Sequence, residues 1–209
     1  MKNFYLIFLL IFTINVNGQK IDTIVDKGIY KSYYSFVLKS PLYVVYDLYK
    51  GGGNVSRKGL RFSNEDKTAS NRNYKEINLG YNKYDRGHLA NAEDFAYDSY
   101  KEALTFSYFN CFPQNRRLNR GVWKIWETTI RQESQKWPLR IYCGGIYTNA
   151  INRHSIGIPT YCWKLVINLK THLISHVLLF KNDDSNSVQR ISFSDLKKLL
   201  NYTVDFKTN

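Results

Sequence analysis

Three apolar, β-rich stretches follow one another in the C-terminal third and limit the fold more than any other feature. "LRIYCGGIYTN" (139–149), "TYCWKLVINL" (160–169) and "THLISHVLLFK" (171–181) carry the branched and aromatic residues that suit a pleated surface. Only Lys170 and Thr171 stand at the join of the last two, which therefore read as a hairpin. "LYVVYDLYK" (42–50) reads as a further strand, ended by Gly51-Gly52-Gly53. Helical spacing of Leu118, Val122, Ile125, Thr129 and Ile130 marks "RLNRGVWKIWETTIRQESQKW" (117–137), which Pro138 stops. "NAEDFAYDSYKEAL" (91–104) reads as a helix capped by Asn91, with Glu93 and Asp94 in its first turn. "TFSYFNCF" (105–112) is strand-like, and "SFSDLKKLL" (192–200) closes the chain as a short helix. Strands and helices mix without regular βαβ alternation, so the class is α+β around an antiparallel sheet. The 209 residues suit one domain.

The first residues, "MKNFYLIFLLIFTINVNGQK", have the layout of a secretory signal peptide: Lys2, an apolar run over Phe4–Ile14, then small residues near Gly18. That gives a signal peptide over 1–18 and a mature domain over 19–209, secreted or periplasmic. The alternatives are an uncleaved anchor or a buried strand. After cleavage no other stretch is apolar for long enough to hold a membrane.

Thirty Lys and Arg against seventeen Asp and Glu give +13, and losing residues 1–18 removes only Lys2. A basic exported protein attracts polyanions, with nucleic acid, acidic polysaccharide and anionic membrane all open on charge alone. Cys111, Cys143 and Cys162 allow at most one internal bridge. Cys143 with Cys162 would be the pair, and three buried thiols is the equal alternative. Residues 54–83 form a long polar stretch with Arg57, Lys58, Arg61, Lys67, Arg72, Lys75 and Lys83, a length that is usually functional in a compact domain.

Between that stretch and the helix at 91 lies "YDRGHLANAEDF". His88 is the one histidine in so polar a setting, and an imidazole suits proton removal from water. Arg86 offers a planar fork to phosphate, and Gly87 allows a tight turn or a close approach. An Asp-Arg-Gly turn with an incidental histidine is the competing reading. Asn119 opens the later helix, as a cap or as an oxygen ligand of a hard cation. Glu127 follows eight residues on, about 80° around the axis of a continuous helix. His172 and His176 share a strand face with no carboxylate near, and His154 sits in the loop "NRHSIG"; none suggests a site.

"YDRGHLANAEDF" followed by "FNCFPQNRRLNRGVWKIWE" resembles the signature of the DNA/RNA non-specific endonucleases. The D-R-G-H row, then N-x-x-P-Q, then L-N-x-x-x-W with Glu eight beyond the Asn, is a specific combination. "LYVVYDLYK", "GIPTYCWKLVIN" and "VQRISFSDLKKLLNYTVDF" extend the likeness over nearly the whole mature chain. The resemblance implies a ββα-metal (His-Me finger) nuclease fold, a central antiparallel sheet flanked by helices. It implies His88 as general base, Asn119 as the one protein ligand of Mg²⁺ (Mn²⁺ able to substitute), and Glu127 orienting water around that ion. Arg86 would position or neutralise phosphate, Asp85 would hold its loop, and Arg57 or Arg61, with Arg61 preferred, would contact phosphate upstream. The products would carry 5′-phosphates, from DNA and RNA alike. Asn91 stands where many members carry Pro, a loop detail on this reading. Left open are a homodimer, an inhibitor or immunity partner, an antibacterial toxin role, and a polyanion-binding protein without catalysis.

Overall fold

A computed structural model describes residues 18–63, 70–78, 83–148 and 156–207. The strands are β1 (Thr23–Asp26), β2 (Lys31–Ser35), β3 (Ser40–Leu48), β4 (Tyr84–His88), β5 (Cys111–Asn115), β6 (Leu139–Ile146), β7 (Tyr161–Asn168), β8 (Leu173–Lys181) and β9 (Val188–Arg190). The α-helices are α1 (Asn71–Ile77), α2 (Ser99–Leu104), α3 (Arg116–Arg120), α4 (Val122–Ser134) and α5 (Phe193–Leu199). Seven strands make one antiparallel sheet in the order β1-β2-β3-β6-β7-β8-β9, and β4 pairs with β5 separately. The expected α+β class holds.

Alternation along β7 divides the core in two. Cys162 and Val166 face one side, where they pack with Trp123, Ile130 and Leu118 from the helices and Leu89 and Phe112 from the β4–β5 layer. Trp163, Leu165 and Ile167 face the other, against Leu196 of α5 and Tyr202. Lys164 occupies the same parity as Cys162 and Val166 and is 1% exposed. The Lys170-Thr171 turn is closed by Asn168, whose side chain accepts from both backbone amides at 2.9 and 3.2 Å.

The β4–β5 pair is fixed to the main sheet by Asn182 at the end of β8. Its Oδ1 accepts from Asn115 N at 2.7 Å, and its Nδ2 donates to the carbonyls of Pro113 and Pro159. Gly87 sits in β4 where an added Cβ would fall 2.3 Å from the Gln114 side chain, so the glycine serves a close approach rather than a turn.

Three elements and several side-chain placements differ from the sequence reading. The helix expected over 91–104 is a 3₁₀ turn (Ala92–Phe95), capped by Asn91 as expected, then α2 capped by Asp98. The strand expected over 105–112 forms later, at β5, after a second 3₁₀ turn over Tyr108–Asn110. The helix expected over 117–137 breaks at Gly121 into α3 and α4, so Asn115, not Asn119, is the first cap. Ile125 faces solvent, at 62% exposure. His172 precedes β8 in a turn with φ 58°, so it shares no strand face with His176. His176 does have a carboxylate beside it: Glu133 Oε1 lies 2.6 Å from Nε2. Cys111, Cys143 and Cys162 are all free and buried. Cys143 sits opposite Lys164 and Cys162 opposite Gly145, a two-residue offset that points the two thiols at different neighbours. Residues 1–17 and His154 lie outside the described residues.

Candidate active site

His88 ends β4, and its ring is walled by Phe62 and Phe106, each with a centroid 4.9 Å away. Its Nε2 is buried without a hydrogen-bond partner among the described residues. Burial, then the charges of Arg57 and Arg86, push the imidazole down to about 3. The ring is therefore neutral through the physiological range, the form that accepts a proton.

Asn119 reaches the same place from α3, and Asp85 fixes how it is turned. Asn119 Nδ2 donates to Asp85 Oδ2 at 3.0 Å, while Arg120 bonds both oxygens of that carboxylate at 2.9 Å. Arg116 adds a third contact at 3.5 Å. Burial opposes ionisation of Asp85, but the bonds from Arg120 and Asn119 hold it below the usual carboxylate range. The amide nitrogen of Asn119 is thus committed, and its Oδ1 is the atom left to meet a ligand. Asp85 acts on the site through Asn119 and α3.

Glu127 lies on α4 and accepts from Trp123 Nε1 at 2.8 Å. Trp123 is completely buried, edge-on to Phe180 at 4.9 Å, so its indole is a rigid donor. Burial pushes Glu127 up to about 7; Lys164 opposes that, Asp94 adds to it, and a bond from Asn91 lowers it. Asn91 therefore does two things: its Oδ1 caps the 3₁₀ turn at Glu93 N, 2.7 Å away, and its side chain touches Glu127. The loop detail reaches the site after all.

Beneath these residues lies a buried charged cluster that sequence reasoning missed. Lys164 Nζ stands 3.9 Å over the Trp123 ring and 3.0 Å from Cys143 Sγ. Burial works against its charge, yet Cys143, Glu127 and Asp94 carry it above the ordinary lysine value. Asp94 is held by Arg131 Nε at 2.7 Å and Tyr46 Oη at 2.9 Å, and Arg131 also meets Glu93 at 3.2 Å. Breaking one partner out of such a buried set costs about 3–5 kcal/mol. The one legible signal was a lysine at an inward position of a strand otherwise apolar at that parity.

His88, Asn119 and Glu127 line one cavity of about 350 Å³ with Arg57, Asn91, Ala92, Glu93, Arg120 and Lys124. Arg57 owes its place to the three glycines after β3. Gly53, at φ 138°, lies so close to Ala96 that a Cβ would fall 2.1 Å from its carbonyl oxygen. Gly52 N and Val55 N bond the carbonyls of Asp94 and Ala96, and Arg57 then meets Glu93 at 3.2 Å. Arg61, preferred from the sequence, does not line the cavity, whereas Arg57 does. Arg86 lies outside the lining too, over the rings of Phe62 (5.3 Å) and Tyr74 (5.7 Å), but close enough to act on His88 through its charge. We expect Arg57→Ala to raise KM for nucleic acid by about tenfold and Arg61→Ala to change it little. Steady-state kinetics on one oligonucleotide checks this, and equal effects would remove the distinction.

The donor set fits a sparsely held hard cation. Among the described residues there is no group of three or more His, Cys, Asp or Glu able to enclose a metal. One neutral amide oxygen beside a nearby carboxylate suits a divalent ion that keeps most of its waters.

Residues 11–208 match the family of DNA/RNA non-specific endonucleases, and the chain belongs to that family. Its fold is that of EndoG, seen in a crystal structure of the EndoG/EndoGI complex concerned with the mechanism of EndoG inhibition. That structure superposes with a TM-score of 0.70 over 88% of this chain and 86% of the other, at 18% identity. No curated protein sequence matches the chain.

Proposed function

We propose that this protein is an exported, Mg²⁺-dependent endonuclease that cuts DNA and RNA without sequence preference and leaves 5′-phosphates. Family membership supports the nuclease activity itself. The observation that carries the finer reading is the convergence of His88, Asn119 and Glu127, from three separate elements, on one cavity. Neutral His88 accepts the proton of the attacking water. Arg57 faces the phosphate, and Arg86 adds positive charge from behind the histidine. Asn119 would hold Mg²⁺, which supplies charge neutralisation at the phosphate and the leaving 3′ oxygen, with Mn²⁺ able to substitute. Glu127, anchored by Trp123, orients water in the cavity. Backbone charge rather than base edges accounts for the lack of preference.

Product chemistry tests this directly. Fragments should serve in ligation without prior kinase treatment; a requirement for kinase would contradict the assignment of the leaving oxygen. Export is supported by the N-terminal pattern alone, and protein recovered outside the cytoplasm should begin near Gln19. An antibacterial toxin would share this chemistry and require an immunity partner. That EndoG is seen bound to EndoGI makes an inhibitor of this chain a reasonable partner to seek.

The pH dependence follows from two opposite shifts. Glu127 must be ionised to orient water; burial pushes it up to about 7 in the metal-free protein and a bound cation lowers it, so kcat/KM should fall on the acid side, at or below that value. His88, titrating near 3, is already deprotonated there and sets no limb in that window. Lys164→Met removes the charge that favours ionised Glu127 and should move the acid limb upward by about one unit or more. A profile from about pH 5 to about pH 9 for both proteins checks it. An unmoved limb would detach Lys164 from Glu127.

A further inference from the structure

We propose that a second, basic groove on the far side of α3 seats the nucleotides that flank the scissile phosphate, a proposal that rests on the nuclease reading above. The groove is lined by Lys83, Arg116, Arg117 and Arg120, together with Tyr84, Asp184 and Asn186. At about 930 Å³ it is larger than the catalytic cavity. Arg120 lines both, so α3 is the ridge between them and a strand leaving the catalytic cavity over Arg120 enters this groove.

Its charges differ in availability. Arg116 and Arg120 share Asp85 as counter-ion, which ties them to the Asn119 support. Lys83 and Arg117 are exposed and make no ion pair among the described residues, so their charge is open to phosphate. The Tyr84 ring lies beneath Lys83, with Nζ 5.8 Å from its centroid, and offers a face on which a base stacks once the lysine swings to phosphate. Asp184 and Asn186 are held in place rather than loose: Asn115 Nδ2 bonds Asp184 Oδ1 at 3.0 Å, and Asn186 Oδ1 accepts from Val122 N at 2.8 Å. Cations paired with one aromatic face and no array of base-edge readers describe a sequence-tolerant track for a single strand. The one carboxylate among these residues, Asp184, does not cancel four cations.

The test is the double variant Lys83→Glu/Arg117→Glu, neither residue having a part in the catalytic cavity. For a single strand of about 20 nucleotides, KM should rise about tenfold with kcat unchanged. For a substrate of about four nucleotides, too short to leave the cavity, kinetics should match the parent. Binding of the long strand is also measured in the His88→Ala background without divalent metal, where the dependence of log Kd on log salt should lose about 1.4 in slope. That arm reads the groove even if the protein cuts nothing, so failure of the nuclease reading is seen separately. Lys83→Gln/Arg117→Gln, which is gentler on folding, should move both readouts the same way by less. Long-strand KM and salt slope equal to the parent would overturn the groove. Equal losses on long and short substrates would overturn it too, since the charges would then act on the cavity itself.

Discussion

His88→Ala should lower kcat by about 10²–10⁴-fold while nucleic-acid binding is retained. Among the described residues it is the only imidazole lining the cavity, and its low proton affinity keeps it in the accepting form across the working range. Binding survives because the charge that attracts phosphate sits on Arg57, Arg120 and Lys124, none of which His88 holds in place. The small cavity left between Phe62 and Phe106 costs stability but not the fold, since the ring accepts no structural bond at Nε2. Single-turnover cleavage beside a binding isotherm separates the two effects. Near-parental turnover would remove His88 as the base, whatever happened to affinity.

Asn119→Ala should be comparably severe through a different variable. Outer partners of a metal ligand already cost about 10–100-fold in affinity when lost, so loss of the proposed direct ligand should cost at least about 100-fold in Mg²⁺ half-saturation. Activity should fall with it and recover in part at high Mg²⁺, which His88→Ala should not do. The substitution also frees Asp85 from one of its partners, but Arg120 and Arg116 remain on that carboxylate, so α3 stays placed. An unchanged Mg²⁺ titration would contradict the ligand role.

How much of this could be read from the chain depends on how local the cause is. The Lys170-Thr171 hairpin and the Asn91 cap were legible because a few adjacent residues decide them. His88, Asn119 and Glu127 were legible as a set because their spacing follows a family pattern. The break at Gly121 was not: the apolar period runs through it, and the separate α3 depends on Asn115 and on the Asp85 contacts from β4. Asp85 itself looked like a loop holder, and its hold on Asn119 needs the third dimension. Arg61 seemed better placed than Arg57 until Gly53 and Ala96 brought the earlier residue to the site. Lys164 was the largest omission: a lysine in a strand normally marks the solvent side, and its apolar neighbours on both parities were the one sign that it lies inside. β1, β2 and β9 were passed over for want of length or alternation.

Metal-dependent, base-catalysed phosphodiester cleavage in the His88 cavity is the activity proposed for this chain. It is tested most directly by incubating the mature protein with supercoiled plasmid and with RNA, each with Mg²⁺ and with EDTA, beside His88→Ala. Digestion of both substrates, requiring the metal and lost in the variant, is the expected result. Binding without cutting under every divalent metal, or cutting that survives both EDTA and the loss of His88, would contradict it.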